Sequence, residues 1–309
     1  VPMKIFPAVH YSMGGLYTVY ESDDKPQFLT DVIPDDDARS KTLRAPDKPH
    51  PGMILGAPYN MMTNIPGLYA FGEVNYQYRG ATRLGANALL NCIFDGLFCG
   101  LSVVNYVREE VNEEARAEAL EHAIFDVAVS QEQQKVQRLI ENKGRANPYD
   151  IHRRLGDEMT ECCTVIRTDE RMRQGHEILK GLKAEYKNVQ LSDTGYWTNQ
   201  NLSFTRALGD MLIYAEAILI ASIARTESRG SHYRPDFPDR DDANWHCTTV
   251  AQYDPESDEH TLEYEPIPLP LVEPRARTYG AVESGDDEKK AEPKKKTTRK
   301  KKRKATTKK

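Results

Sequence analysis

The strongest constraint on how this chain of 309 residues can fold is one long amphipathic pattern over residues 204–226. Its apolar residues recur at spacings of three and four, which places them on one face of a helix. The residues on that face are Phe204, Leu208, Met211, Leu212, Ala215, Leu219 and Ile223. Such a face must be buried against other elements. We therefore expect three or four helices in an antiparallel bundle between about residues 106 and 228.

Further helices are predicted on either side of residue 142. The continuous apolar stretch 88–107 predicts a buried helix that begins near Asn87–Leu89, and helical periodicity continues to about Asn142. The Asn-Pro-Tyr sequence at 147–149 interrupts this pattern, and Asp150 is a candidate N-cap for the next helix. Residues 172–186 predict another helix.

Short strands are predicted at both ends of the chain. Residues 4–11, 16–20 and 68–72 indicate strands near the beginning, and residues 247–252 and 260–265 indicate two near the end. Residues 21–60 are rich in Asp, Pro, Lys and Gly, which favours a polar surface excursion.

Charge is strongly segregated along the chain. Residues 289–309 contain 13 Lys and Arg but one acidic side chain, so the rest carries a net charge of −17 although the whole chain carries −5. This composition predicts a disordered basic tail from about residue 281. We identify no signal peptide and no apolar run that approaches the roughly 18 residues of a spanning helix. The mean hydropathy of −0.67 argues against an integral membrane protein.

Three local features could bind a ligand. His10 follows a predicted strand and precedes a Gly-Gly turn, Glu73 ends the apolar segment 67–73, and Arg83 lies in a glycine-rich stretch before a helix. Glu73 could accept hydrogen bonds from ribose hydroxyls. Arg83 offers a planar fork for a carboxylate beside the positive end of a helix. The alternatives are a structural histidine, a solvated strand end and a glycine-rich turn with a solvated arginine.

Two motif searches are negative. The sequence contains no G-x-G-x-x-G between a strand and a helix and no Walker loop, so it lacks a dinucleotide phosphate cradle. Its five cysteines include no C-x-x-C, which favours reduced thiols and predicts no metal site.

Several of these segments together resemble the flavoprotein subunit of succinate dehydrogenase/fumarate reductase. The matching segments are HYSMGGL at 10–16, GLYAFGEVNYQYRGATRLGANALL at 67–90, NPYDIHRRLGDEMTECC at 147–163 and ESRGSHYRPDFPDRDD at 227–242. The Y-Q-Y-R-G and L-G-A-N variants look most similar to the branch that feeds menaquinone. The resemblance covers about residues 3–255, and it implies the C-terminal half of such a subunit.

The resemblance implies four parts for the chain. Residues 1–105 would be an α/β return segment of the FAD-binding domain, with the polar insertion 21–60. A helical bundle domain at 106–228, a small α+β C-terminal segment at 229–280 and the disordered Lys/Arg-rich tail at 281–309 would follow.

The resemblance also implies roles for individual residues. His10 and Arg83 would bind the two carboxylates of succinate, Glu73 the adenosine ribose of FAD, and the backbone N–H groups of Ala88 and Leu89 the isoalloxazine. The reaction implied is hydride transfer from succinate to FAD. The arginine that shuttles the proton is expected upstream of Val1, so no catalytic residue is predicted in this chain.

Two residues depart from the family pattern. Thr82 stands where the family usually has Asn, and Ala88 stands where it usually has Ser. The second change keeps a backbone contact to flavin but would remove a hydroxyl contact.

The implied partners are an iron–sulfur subunit and a membrane-anchor cytochrome b subunit, which would hold the chain at the cytoplasmic face of the inner membrane. Fumarate reductase cannot be distinguished from succinate dehydrogenase here, because direction follows the redox partners. L-aspartate oxidase shares the HY-x-x-GG and GE…GAN patterns, but the helical and ESRG segments argue against it. A non-catalytic helical assembly module is the alternative of a different class.

The basic tail leads to a first prediction. If residues 289–309 contact anionic lipid headgroups or nucleic acid, binding to liposomes or DNA will fall steeply with salt, because counterions are released on binding. Deletion of 289–309 should abolish that binding. Salt-independent behaviour would leave a solvated extension as the function of the tail.

Overall fold

The computed structural model describes residues 11–20, 22–23, 52–54, 56–77, 80–111 and 121–267. The described elements, in chain order, are β1 (Ser22–Asp23), β2 (Gly52–Met53), α1 (Asn87–Glu109), α2 (His122–Glu141), α3 (Pro148–Cys163), α4 (Asp169–Tyr186), α5 (Gln200–Ala224), α6 (Asp242–Trp245), β3 (Cys247–Asp254) and β4 (Glu259–Pro266). β1 pairs with β2, and β3 with β4, each antiparallel.

The hydrophobic core lies between α3, α4 and α5. Its fully buried side chains include Ile151, Cys162, Met172, Leu179, Leu182, Leu208, Leu212 and Leu219. Gly175 lets α4 approach α3 closely, since a Cβ there would lie 2.8 Å from the Cys162 sulfur. Burial raises the pKa of the Cys162 thiol to about 11. The amphipathic pattern therefore predicted the central helix of the core, with one exception: Met211 is 39% exposed.

Helices α3 and α5 begin at capping side chains. Asn147 accepts a hydrogen bond from the Tyr149 N–H at 3.0 Å and caps α3, and Asn199 caps α5 through the Leu202 N–H at 2.7 Å. The prediction that Asp150 caps α3 is wrong. Pro148 occupies the first helical position, so the helix begins earlier in the chain than predicted. Asp150 therefore lies in the first turn, where its carboxylate pairs with Arg153.

β3 and β4 form a hairpin in continuous register, from Cys247 opposite Pro266 to Asp254 opposite Glu259. These are the two strands predicted near the end of the chain, each slightly longer than expected. Lys183 of α4 links the hairpin to α5, because its ammonium donates to Glu216 at 2.7 Å and to Asp258 at 2.6 Å.

Helix α1 begins at Asn87, as predicted, but it is not a buried helix. Among the described residues Leu89 is 75% exposed and Leu97 71% exposed, and Asp95–Cys99 forms a π-helical turn. By length and composition α1 and α5 could each cross a membrane, in contrast to the sequence expectation, although core helices of soluble proteins share these properties. For α5 the buried face accounts for that composition.

The first described residues lie beside residues 61–76. The Leu16 N–H donates to the Val74 carbonyl at 2.7 Å as part of an isolated bridge, and the Val19 N–H donates to the Met62 carbonyl at 2.9 Å, so residues 16–20 and 68–72 do not form the predicted strands. The buried side chain of Asn75 connects these two segments, since its amide nitrogen donates to Thr18 Oγ1 at 3.0 Å.

The end of the predicted surface excursion also differs from expectation. Asn60 is fully buried and donates to the Ile54 carbonyl and to Ser102 of α1.

The helical part of the predicted fold class and the small C-terminal sheet are confirmed. The FAD-domain return segment and the domain boundaries remain predictions. The basic tail, like residues 4–10, lies outside the described residues.

The contrast between Leu212 and Met211 gives a stability prediction. Leu212→Ala should lower the free energy of unfolding by about 2–5 kcal/mol, because it leaves a cavity at a fully buried position. Met211→Ala, one residue away on the same helix, should cost less than about 1 kcal/mol. Urea denaturation measures both, and equal losses would contradict this assignment of the buried face.

Candidate functional site

The glycine-rich stretch before α1 is a tight turn that ends at an uncapped helix. Gly80 and Ala86 both have positive φ, +53° and +64°, and the Asn87 N–H donates to the Leu84 carbonyl at 3.3 Å. Ala86 is the N-cap residue of α1 and provides no side-chain cap. The N–H groups of Ala88 and Leu89 lie in the first turn, where no intrahelical acceptor exists. The predicted backbone donors therefore lie at the positive end of a helix dipole.

Arg83 lies in this turn and is half-buried. Its guanidinium carbon lies 5.3 Å from the centre of the Tyr11 ring, within the range of a cation–π contact. Tyr11 directly follows His10, which lies outside the described residues. The contact places Arg83 against Tyr11, the neighbour in sequence of His10, which is the other predicted carboxylate ligand.

Glu73 lies in a single 3₁₀ turn, Gly72–Val74, and is exposed. One of its carboxylate oxygens accepts the Ser12 N–H at 2.9 Å. The predicted ribose ligand therefore also fixes the segment that follows His10.

Helix α1 holds the turn that carries Glu73. Gly72 has a φ of +67°, and its N–H donates to the buried carboxylate of Asp95 at 2.5 Å. A Cβ on Gly72 would lie 2.9 Å from the Cys92 sulfur, so the positive φ and this close approach together favour glycine here. Sequence analysis missed Asp95, although a carboxylate inside an otherwise apolar helix was a usable signal. Arg83, Glu73, Ala88 and Leu89 are thus joined through α1 and the turn before it.

Sequence analysis also assigned no site role to residues 225–246, where the structure has a dense buried ion-pair network. The carboxylate of Glu227 is fully buried. It accepts hydrogen bonds from Arg225 at 2.6 Å, from Arg229 at 2.7 and 2.9 Å, and from the Asp241 N–H at 2.9 Å. Burial would raise the pKa of Glu227, but these hydrogen bonds, led by that from Arg229, lower it below the usual value.

Two arginines tie the same segment to the helical core. The fully buried Arg234 donates to the Ile223 carbonyl at 2.9 Å, at the end of α5, and to Asp236 at 2.7 Å. Arg167, which follows α3, lies 2.8 Å from Nδ1 of the buried His232. The Nε2 of His232 donates to the Arg225 carbonyl at 3.2 Å.

This arrangement fixes the protonation state of His232. Burial, followed by the nearby positive charge of Arg167, lowers the pKa of His232 to about 4. A neutral ring with its proton on Nε2 can accept from Arg167 and donate to Arg225 at once. Ser231, next to His232, contacts the Arg83 turn at the Ala81 carbonyl.

The described residues include no group of three or more His, Cys, Asp or Glu side chains that could hold a metal ion. The Arg83 guanidinium and the N–H groups of Ala88 and Leu89 can bind anions and hydrogen-bond acceptors.

Comparison with known proteins gives one consistent result. Residues 152–279 match the protein family described as fumarate reductase flavoprotein C-term. The chain is 35% identical over 279 residues to the succinate dehydrogenase flavoprotein subunit of Bacillus subtilis, covering 90% of this chain and 40% of that protein. It is 31% identical over 289 residues to the fumarate reductase flavoprotein subunit of Escherichia coli, covering 93% of this chain and 40% of that protein.

A solved structure agrees with the sequence matches. A quinol-fumarate reductase with menaquinol molecules superposes with a TM-score of 0.64 at 30% identity, over 70% of this chain and 37% of that chain. The chain therefore spans about 40% of the length of the curated relatives it matches.

The buried His232 gives a prediction about pH. Its folded pKa of about 4 lies below the ordinary value of 6.5, so the folded protein binds fewer protons than the unfolded chain between these pH values. The free energy of unfolding should fall as pH drops through this window, by on the order of 3 kcal/mol from this residue. His232→Gln, which keeps a donor and an acceptor, should make urea-denaturation stability less dependent on pH from 6.5 to 4.

The same substitution at the exposed His152 is the matched control, because it separates the effect of burial from that of the replacement itself. An unchanged slope in the His232 variant would contradict the buried, neutral state of His232.

Proposed function

Because the chain belongs to the succinate dehydrogenase/fumarate reductase flavoprotein family, matching its C-terminal portion, we propose that it forms the dicarboxylate- and flavin-contacting part of an FAD-dependent succinate dehydrogenase. Fumarate reductase is the same chemistry in the opposite direction. The observation that carries the proposal is the turn at 80–86, which presents Arg83 immediately before an uncapped helix N-terminus.

Arg83 binds one carboxylate of the substrate in this proposal. A guanidinium can donate two parallel hydrogen bonds to a carboxylate, which fixes both position and orientation. The Tyr11 ring supports the guanidinium from one side, and a half-buried setting strengthens its interaction with an anion relative to one in water. His10, one residue before Tyr11, binds the second carboxylate.

The described residues fit FAD as the cofactor. The N–H groups of Ala88 and Leu89, in the first turn of α1, suit the N1/C2=O edge of an isoalloxazine, and the exposed apolar side chains of Leu89 and Leu90 lie beside them. Ala88 and Leu89 provide these donors, and Glu73 accepts from the adenosine ribose. FAD, when bound, supplies the acceptor for the hydride that leaves succinate, and no residue of this chain is proposed to take the proton.

The positive end of α1 contributes more than binding. A helix N-terminus stabilises negative charge that develops beside it, and it needs no reorganisation during the reaction. Ala88 can serve in this role because the donor is its backbone N–H. Thr82, the other departure from the family pattern, lies in the turn and not at the helix terminus.

The partners follow from the same family membership. We infer an iron–sulfur subunit and a membrane-anchor cytochrome b subunit, a peripheral location on the cytoplasmic side of the membrane, and menaquinone as the quinone. The similarity to a quinol-fumarate reductase with menaquinol molecules supports this assignment. Contact of residues 289–309 with anionic lipid or nucleic acid remains a prediction.

Replacement of Arg83 tests the proposal. In the FAD-loaded enzyme, Arg83→Ala should lower succinate turnover by at least about 100-fold, because a charge-assisted fork is lost from the substrate site. The flavin content per subunit should stay unchanged, since Arg83 is not assigned to FAD. Steady-state kinetics and flavin absorbance measure both quantities.

Arg153→Ala is the matched control, because Arg153 is a well-exposed arginine of α3 that pairs with Asp150. It should leave turnover unchanged. Normal turnover in the Arg83 variant would exclude Arg83 from the substrate site.

A further inference from the structure

The turn that carries Arg83 is held by residues 150 positions later in the chain. The Ser231 N–H donates to the Ala81 carbonyl at 2.9 Å, and the Ser231 hydroxyl donates to the same oxygen at 3.0 Å. Ala81 lies two residues before Arg83. Both hydrogen bonds therefore act on the backbone from which the Arg83 side chain extends.

Gly230 makes this approach possible. It has a φ of +59°, in the left-handed region that favours glycine. A Cβ on Gly230 would fall well inside van der Waals contact with Thr82 Oγ1 and with the carbon and oxygen of the Ala81 carbonyl. The carbonyl is backbone, so a side chain at position 230 could be accommodated only if one of the two turns moved.

The other side of Gly230 is anchored in the helical core. Arg229 forms a two-pronged ion pair with the buried Glu227, and the buried His232 accepts from Arg167. A buried carboxylate and its arginine are expensive to separate. Movement caused by a clash at Gly230 would therefore fall on the half-buried 80–83 turn.

We propose that Gly230 and Ser231 are positioning residues for Arg83: the C-terminal segment sets the orientation of the guanidinium that binds the substrate carboxylate. This inference rests on the function proposed above. It assigns part of the substrate specificity to a segment that touches neither substrate nor flavin. The effect should appear in dicarboxylate affinity, because an error of about 1 Å in a binding group is costly.

The experiment measures the Kd of malonate, a non-reacting dicarboxylate, from the change it causes in flavin absorbance of the FAD-loaded enzyme. Gly230→Ala is the main variant. Gly156→Ala is the matched control, because Gly156 lies in α3 and a Cβ there would meet nothing within 4 Å. Flavin content and the thermal midpoint are recorded for each variant.

Gly230→Ala should raise the malonate Kd roughly 10- to 100-fold, and raise KM for succinate more than it lowers kcat. Flavin content should stay at one per subunit. Gly156→Ala should leave Kd and KM unchanged. A Gly230→Ala enzyme that folds, holds flavin and binds malonate with wild-type affinity would overturn the proposal.

A variant at Arg83 separates this proposal from the one it rests on. If Arg83→Ala leaves the malonate Kd unchanged, the proposed function fails. If Arg83→Ala abolishes malonate binding and Gly230→Ala has no effect, the positioning proposal alone fails.

Hydrogen exchange in the wild-type enzyme tests the proposal even if Gly230→Ala does not fold. Because coupling between two sites is reciprocal, malonate binding at Arg83 should strengthen the contact that positions it. Exchange of the Ser231 amide should slow on addition of malonate, while the amide of Ser257, at the tip of the β3–β4 hairpin, stays unchanged. Equal exchange of the Ser231 amide with and without malonate would overturn the proposal.

Discussion

The buried carboxylate of Glu227 determines the course of the chain after α5. A charge removed from water must be matched by donors, and removal of one partner from such a pair typically costs about 3–5 kcal/mol. Glu227 receives donors from Arg225, Arg229 and the Asp241 backbone, so residues on both sides of it are fixed around one carboxylate. The chain then turns at Gly230, where Ser231 contacts the turn that carries Arg83.

Helix α1 fixes the backbone around Glu73, as the buried Glu227 fixes the backbone around Gly230. Its Asp95 carboxylate binds the Gly72 N–H and so holds the turn that carries Glu73. Its Asn105 side-chain amide donates to the Gly56 carbonyl at 2.7 Å. This hydrogen bond holds the loop that precedes residues 61–76 against the helix. The backbone N–H groups of Ala88 and Leu89, in the first turn of the same helix, are the proposed flavin donors. The π-helical turn at Asp95–Cys99 lies between these functions, in keeping with the frequent occurrence of such turns at functional sites.

Sequence patterns predicted those features that depend on residues close together in the chain. The spacing of Leu208, Leu212 and Leu219 identified the buried face of α5, because a helix with a period of 3.6 leaves little choice of face. The start of α1 at Asn87 followed from the glycine-rich turn before it, and Arg83 and Glu73 stood out because glycine and charge are concentrated around them. Met211 was misassigned because it lies at the edge of the apolar face, about 60° around the helix from Leu208, and spacing alone does not show how wide a face is buried.

Contacts between distant residues could not be read in the same way. Gly230 is one glycine among 19, and only the approach of the Ala81 carbonyl shows why it must be glycine. Asp95 pairs with a residue 23 positions earlier, and Ser231 with one 150 positions earlier. The burial of α1 was overestimated for a related reason, because an apolar helix does not reveal which elements cover it.

The central claim is that the helical C-terminal part and the Arg83 turn act on the substrate as one unit. A double-mutant cycle on malonate affinity tests it most directly, using Gly230→Ala and Arg83→Gln singly and together in the FAD-loaded enzyme. If Gly230 acts through Arg83, the glycine variant should weaken binding in the wild-type background but have no further effect once Arg83 is replaced. Additive losses in the double variant would contradict the account.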